Sequence, residues 1–385
     1  MSARPLRVLM LSKACYVAAY RTKLEAMASL PEVEVTLAVP PYWQFGRRRE
    51  PLEPGNDRNY RLIVLSPLLN GNHHLHFYPG IGRLLDETQP DLFHIDEEPY
   101  DVVTVHALWA ARRRGIPALF FTWQNLDRRY PPPFEWFRRW TLAHAAGAIA
   151  GNAEAAAILR RRGYRGPLTV LPQFGVDPDL FPFRPPRDAV PVRIGYVGRL
   201  WRGKGVDLLI EAAAGLRGDW QLDLLGAGDE APALRALIDR LGVRERVRLL
   251  GSWPSHQVPA FYRTLDLLVL PSRTLPNWKE QFGRVLIEAM ASGVAVVGSN
   301  SGEIPNVIGD AGWIVPEGDV AALRAQLQAV IDSPALRAAA AERGRRRVLD
   351  RFTQQRIATA TVAFYRSILG QTPGCSDAAP ALNPA

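Results

Sequence analysis

The chain has 385 residues, 47% of them hydrophobic and 22% charged, which fits a globular protein with a sizeable core and makes two domains the natural expectation. The net charge of +9, from 47 Lys+Arg against 38 Asp+Glu, suits an anionic partner such as phosphate, nucleic acid or a lipid surface, and does not choose among them. Only two cysteines, Cys15 and Cys375, argue against a disulfide framework and fit a reducing cytoplasm, and no run approaches the roughly 18 apolar residues of a membrane span.

Short apolar runs alternate with helical patterns. In the first half the predicted strands are Arg7–Leu11, Val33–Val39, Tyr60–Leu65, Asp91–Ile95, Ala118–Thr122, Gly147–Ala150 and Leu168–Leu171. Helices are predicted between them at Ala19–Leu30, Tyr100–Arg114 and Ala153–Arg162. The apolar run Val8–Leu11 is too brief for a signal segment. Phe181–Pro191, FPFRPPRDAVP, is proline-rich and reads as a linker. The rhythm restarts with strands Val192–Val197, Gln221–Leu225, Val247–Leu250, Leu267–Leu270 and Val294–Gly298, and helices Lys204–Leu216, Ala231–Leu241 and Gly283–Ser292. Helices continue through Ile368. The expected division is residues 1–182, residues 190–350, a last helical segment at 351–369 and a disordered tail at 370–385. This βαβ order predicts an α/β protein of two doubly wound domains, with ligands at the carboxyl ends of the strands. The expected setting is soluble and cytoplasmic, at most peripheral at the inner face of the membrane.

Two segments carry the chemistry. Arg193–Ala214, RIGYVGRLWRGKGVDLLIEAAA, reads as strand, glycine loop and helix. Gly195 and Gly198 allow a tight turn and a close ligand approach, and the helix start offers free N–H groups to an anion. Arg199 and Lys204 flank that start, placed for a diphosphate. The other reading of such a turn is packing alone. In Pro271–Gly309, Glu280 precedes a helix and Glu288 lies inside it among Leu286, Ile287, Ala289 and Met290. A carboxylate there either faces solvent or has a partner, because burying an unpaired charge is costly. A ribose diol is one partner, and Glu280 is placed for sugar hydroxyls. The amides of Gln281, Phe282 and Gly283 open the helix toward a phosphate or sugar oxygen. The competing reading makes Glu280 a dipole-complementing acid and Glu288 a surface residue.

Together these segments resemble glycosyltransferase family 4. The resemblance is carried by GRLxxxKG at Gly198–Gly205, the pair Glu280/Glu288 in EQFGRVLIEAMASG, the phrase FGVDPDLF at Phe174–Phe181, Pro271–Ser272 and the loop SGEIPNVIG. It covers most of Val192–Arg351 and extends more loosely toward the N-terminus. It implies a GT-B fold of two Rossmann-like domains with the active site between them, acceptor in the first and nucleotide-sugar donor in the second. It implies a retaining transfer that needs no metal. Carried over by position, Arg199 and Lys204 bind the diphosphate, Glu288 the ribose and Glu280 the donor sugar. Gly251 and Trp253, in GSWP, line the base pocket, and the helix Phe352–Ile368 crosses back to the first domain.

The first domain departs from that pattern. Many relatives carry a glycine pair after the first strand, where this chain has Lys13 in LSKACYVAAY. A histidine commonly follows the strand matching ALFFT; here Trp123, Gln124 and Asn125 follow. In DLFHIDEEPY, Asp96 stands where a second histidine often appears. Lys13, His94, Asp96, Glu97, Glu98, Gln124 and Asn125 are therefore the acceptor-side candidates. The plainer reading buries His94 and leaves the acids to solvate the loop.

Asp177 and Asp179 spell D-x-D but sit inside the GVDPDLF phrase, so no metal is assigned to them, and His73, His74 and His76 read as a polar loop near the acceptor. The stretch Arg128–Trp140 lacks any nucleic-acid-binding module, and no nucleic acid is expected. Within Asp127–His144, Phe134, Phe137 and Trp140 recur on one stripe beside Arg138 and Arg139. That combination suits a lipid interface, or packs on the sheet. The expected partners are a nucleotide-sugar donor and a saccharide, lipid-linked or small-molecule acceptor. Two other readings are a nucleotide-sugar epimerase and a non-catalytic nucleotide-sugar-binding subunit.

Overall fold

The structure, a computed structural model, describes residues 4–55, 57–185 and 190–371. The expected tail from residue 372 on, with Cys375, and residues 186–189 of the expected linker lie outside the described residues. Two compact units divide the chain: residues 1–174 with 354–385, and residues 175–353. The segment 175–182, assigned from sequence to the first domain, thus belongs to the second unit.

The first unit runs β1 (Leu6–Leu11), α1 (Thr22–Ala28), β2 (Val33–Val39), β3 (Tyr42–Phe45), β4 (Arg48–Pro51), β5 (Arg61–Val64), α2 (Ile81–Thr88), β6 (Leu92–Ile95), α3 (Val102–Arg112), β7 (Ala118–Thr122), α4 (Phe134–His144), β8 (Gly147–Ala150), α5 (Ala153–Arg161) and β9 (Leu168–Val170). Seven strands form one parallel sheet in the order β5-β2-β1-β6-β7-β8-β9. The pleat sends alternate side chains of β1 to opposite faces. Val8 and Met10 pack with Leu24 and Met27 of α1, while Leu9 and Leu11 pack with Leu84 and Leu85 of α2 and Val103 and Ala107 of α3. A sheet covered on both faces explains why its strands read as largely apolar runs, with interruptions such as Arg7 in β1 and Glu34 in β2.

The second unit runs β10 (Val192–Val197), α6 (Val206–Ala214), β11 (Trp220–Leu225), α7 (Ala231–Arg240), β12 (Val247–Gly251), α8 (Val258–Tyr262), β13 (Leu267–Leu270), α9 (Arg284–Ala291), β14 (Ala295–Ser299), α10 (Ile304–Ile308), β15 (Trp313–Val315), α11 (Val320–Asp332) and α12 (Pro334–Arg351). Its parallel sheet has the order β12-β11-β10-β13-β14-β15. The final helix, α13 (Gln354–Ile368), returns to the first unit. There Ala358, Val362 and Tyr365 join the core face that holds Val8 and Met10.

In both sheets the strand order reverses beside the first strand of the unit, between β1 and β6 and between β10 and β13. Ligand crevices of open α/β sheets form at such points, outside the carboxyl ends of the strands.

Candidate active site

In the second unit, β10 ends at Val197 and hands the chain to a loop and a short 3-10 turn, Arg202–Lys204. Gly205 then starts α6 at φ +64°, and a Cβ there would lie 2.1 Å from the Pro271 carbonyl oxygen, so only glycine fits. No side chain caps α6, which leaves its first amides open. Gly195 has a different role from the one expected: its Cβ would lie 2.2 Å from Leu265, so the glycine is required by packing inside the sheet.

The turn delivers Lys204 to the end of β13. The Lys204 ammonium lies 2.6 Å from Glu280 Oε2, and the hydroxyl of fully buried Ser272 donates to the same oxygen at 2.9 Å. The peptide at Glu280 is held closely as well: the Glu303 N–H donates to its carbonyl at 3.2 Å, and a Cβ on Gly302 would lie 1.9 Å from that oxygen. Glu280 is therefore a buried, paired carboxylate fixed beside a cation, not a solvated helix-start acid.

Glu288, in the second turn of α9, is also buried. Tyr262 OH donates to its Oε2 at 2.8 Å, and Arg284 pairs with Oε1 at 2.9 Å. Burial raises its pKa, against the opposing pull of Arg284 and Tyr262. The surface reading of Glu288 is thus overturned. Arg199 stands apart: it is 69% exposed, and its ion partner is Asp229 at 3.8 Å. Gln281 is exposed, whereas Phe282 packs edge-on against Phe352 at 5.9 Å. Gly283 starts α9 at φ +82°. Past β12, Gly251 turns at φ +72° and Trp253 is 38% exposed, edge-on to Phe261.

The first unit builds a buried polar group at its own reversal point. The Lys13 N–H donates to Glu97 Oε1 at 2.9 Å, and its ammonium is ion-paired with Glu97 Oε2. Ser12 Oγ and Gln173 Nε2 each donate to Asp96 Oδ2 at 2.6 Å. Glu98 accepts from Thr122 Oγ1 at 2.5 Å and from the Trp123 N–H at 2.8 Å, tying β6 to β7. Burial pushes both Glu97 and Glu98 up to about 7, with Lys13 opposing at the first and Thr122 and Trp123 at the second. These three acids do not solvate a loop; they are internal struts. Gln124 is half-buried and accepts from Tyr100 OH at 3.3 Å, and Asn125 is buried. His94 must be withdrawn from the acceptor-side set. It is fully buried, with Nδ1 2.6 Å from Tyr365 OH of α13, because its place on β6 faces the helix layer.

Residues 181–347 match the family described as glycosyl transferases group 1, and residues 18–173 match the glycosyl transferase 4-like domain. The lipopolysaccharide core biosynthesis mannosyltransferase LpcC of Rhizobium leguminosarum is 32% identical over 61% of this chain and 68% of its own length. The chain belongs to the group 1 glycosyltransferases. The 2-deoxystreptamine glucosyltransferase of Streptomyces kanamyceticus is 27% identical over 71% of this chain and 79% of its own. The structure of Anabaena Alr3699/HepE in complex with UDP superposes with a TM-score of 0.72 at 18% identity, over 94% of this chain and all of that one. This glycosyltransferase therefore has the GT-B fold.

The remaining sequence candidates of the glycosyltransferase fall into structural roles. Asp177 Oδ1 accepts from the Asp179 N–H at 2.9 Å, so D-x-D closes its own turn. No group of three metal-ligating side chains occurs among the described residues. His74 pairs with Asp101 at 2.7 Å, and buried His76 turns Nδ1 toward the Asn72 and His73 carbonyls, so the histidine loop is folded on itself. On α4, Arg138 is buried and paired with Glu135 at 2.5 Å, which removes it from any lipid-facing surface. Trp140 packs on the α2–α3 core and against His144, while Trp136 and Arg139 face outward. No described helix is long and apolar enough to cross a membrane. Sequence reasoning missed Tyr262 and Arg284, the partners of Glu288. Arg284 carried a signal, an i,i+4 spacing on one helix; Tyr262, 26 residues away on α8, carried none.

Proposed function

We propose that this glycosyltransferase moves a sugar from a nucleotide-diphosphate sugar to a saccharide, lipid-linked or small-molecule acceptor, with retention and without a metal. The observation that carries the reading is the Lys204–Glu280–Ser272 group at the carboxyl end of β13, beside the uncapped start of α6. A cation, a buried carboxylate and open helix amides are the parts needed to hold a diphosphate and a sugar hydroxyl. UDP in the HepE structure and the glucosyl and mannosyl activities in the relatives' names support the same reading.

In this proposal Lys204, Arg199 and the α6 amides stabilise the departing diphosphate. Glu280 orients the donor sugar, Glu288 accepts the ribose hydroxyls and Trp253 borders the base. The bond from the anomeric carbon to the phosphate oxygen breaks, and its electron pair leaves with the diphosphate. The acceptor oxygen bonds to the anomeric carbon on the same face, and its proton passes to the diphosphate. Lys13, Gln124 and Asn125 remain the acceptor-side candidates, with Asp96, Glu97 and Glu98 as their support.

UDP-, GDP- and ADP-sugars are screened by thermal shift, since a ligand of the native state raises the melting temperature. The stabilising donor is then turned over in EDTA-containing buffer, and NMR of the anomeric proton reads the product. An α-linked product from an α-linked donor is expected; an inverted linkage would falsify retention, and loss of turnover in EDTA would refute metal independence. Membrane contact, in the same proposal, falls to Trp136 and Arg139. Co-sedimentation with anionic vesicles at low salt, lost in Arg139→Glu, is the expected result.

A further inference from the structure

Lys204 has two partners of opposite electrostatic kind. Glu280, at 2.6 Å, cancels the charge that a phosphate would feel. The Trp278 ring, with its centroid 5.2 Å from the Lys204 ammonium, holds the cation through its quadrupole and leaves the charge intact. Trp278 is itself locked. It closes a small antiparallel bridge with Leu275 (N–H to carbonyl 2.7 and 3.2 Å), and its ring meets Trp201 edge-on at 4.7 Å. Trp201 immediately precedes the 3-10 turn that carries Lys204. The two loops are joined by their backbones too, the Arg273 N–H donating to the Gly203 carbonyl at 2.9 Å. A Cβ on Gly203 would lie 2.5 Å from the Trp201 ring and 2.7 Å from that of Trp278, so the absence of a side chain there is what lets the two indoles and the turn pack together.

We propose that Trp278 is a positioning residue of the donor site, which fixes the Lys204 ammonium for the diphosphate without neutralising it, with Trp201 and Gly203 setting the place of the indole. The inference rests on the donor-site reading above. A cation held in place before the ligand arrives loses less freedom on binding, and that saving appears as affinity for the diphosphate.

The test is calorimetric titration of the full chain with UDP, GDP and ADP, each alone, followed by the tightest of them with three variants. Trp278→Leu is expected to weaken binding about fivefold, the range of a partly desolvated cation–π contact. Trp278→Phe keeps an aromatic face and is expected to recover most of that loss. Gly203→Ala, which pushes on both indoles, is expected to fall between the two and stands in for Trp278→Leu if that variant does not fold. Affinity for the same nucleoside without phosphates, read by NMR, is expected to stay within twofold throughout. Equal diphosphate affinity in Trp278→Leu and the unaltered chain overturns the proposal. So does a Phe variant as weak as the Leu variant, or an equal loss of nucleoside binding, which would show a purely structural role. An unaltered chain that binds none of the three diphosphates overturns the donor-site reading itself, and the proposal with it.

Discussion

At the residue scale, the difference between Lys204 and Arg199 matters most. The resemblance places both at a diphosphate by their position in one motif, yet Lys204 is built into a buried group while Arg199 is largely solvent-exposed. A charge-assisted contact to a phosphate contributes about 1.5–3 kcal/mol in binding, and more where charge builds up in the transition state. Lys204→Ala should therefore lower kcat/KM at least tenfold, whereas Arg240→Ala, on the exposed face of α7, should leave it within twofold. Steady-state kinetics on the two variants settles this, and equal activity would remove Lys204 from the donor site. A second residue-scale expectation concerns Glu97 and Glu98, whose pKa values stand at about 7 in the folded chain. The unfolded chain releases these protons near pH 4.5, so the folded form binds more protons between that pH and about 7. Stability should fall as pH rises through this window and then level off. Thermal melts should show a drop of several degrees across it, and Glu98→Gln should make the slope shallower. An unchanged slope in that variant would mean Glu98 is ionised throughout.

At the element scale, the strands of the two sheets were legible to within a residue or two, except the three-residue β15 (Trp313–Val315), because strands covered on both faces stay largely apolar even where Arg7, Glu34 or Asp223 interrupts them. The β3–β4 hairpin was not. Its YWQF and RREP segments are mostly half-exposed or exposed, and only Trp43 is buried. Helix α1 starts three residues later than expected, because Ala14–Tyr16 and Ala18–Tyr20 form 3-10 turns around buried Arg21. Arg21 Nε pairs with Asp57 at 2.8 Å, a partner 36 residues away that no local pattern announces. The nearness of Lys204 to Glu280 and Ser272 was legible because these residues sit in two continuous segments. The polar group at the end of β6 was not, since His94, Glu97 and Glu98 lie at neighbouring positions whose faces and partners depend on which strands and helices flank β6. Helix α4 gives the same lesson. Arg138 and Arg139 are adjacent in sequence, yet one is buried against Glu135 and the other is 74% exposed. Arg138→Ala should cost about 1–2 kcal/mol, through the lost packing of its buried stem and one charge-assisted hydrogen bond, because Glu135 keeps Arg139 at 3.3 Å, and Arg139→Ala under about 0.5 kcal/mol. Urea unfolding of the two variants separates them, and equal midpoints would place Arg138 in solvent.

At the scale of the whole molecule, the first unit is discontinuous. Its core is completed by α13, which buries Ile357, Ala358, Val362 and Tyr365. Tyr365 bonds His94 across 271 residues of sequence. A chain ending at Thr353 should keep the fold of residues 175–353 and lose cooperative melting of the first unit, with Leu24 and Met27 uncovered. Hydrogen exchange resolved by peptide reads this directly, and native protection throughout residues 4–174 would show α13 to be dispensable. The arrangement also bears on biosynthesis. A ribosome releases residues 4–174 long before it reaches Gln354, and the whole second unit must emerge in between. The nascent first unit therefore waits with an open apolar face, at the stage where holdase chaperones act. Pairing contacts so distant in sequence also makes its final docking slow. The second unit, continuous from 175 to 353, has no such wait, so the half of the enzyme made later is the half able to finish folding first.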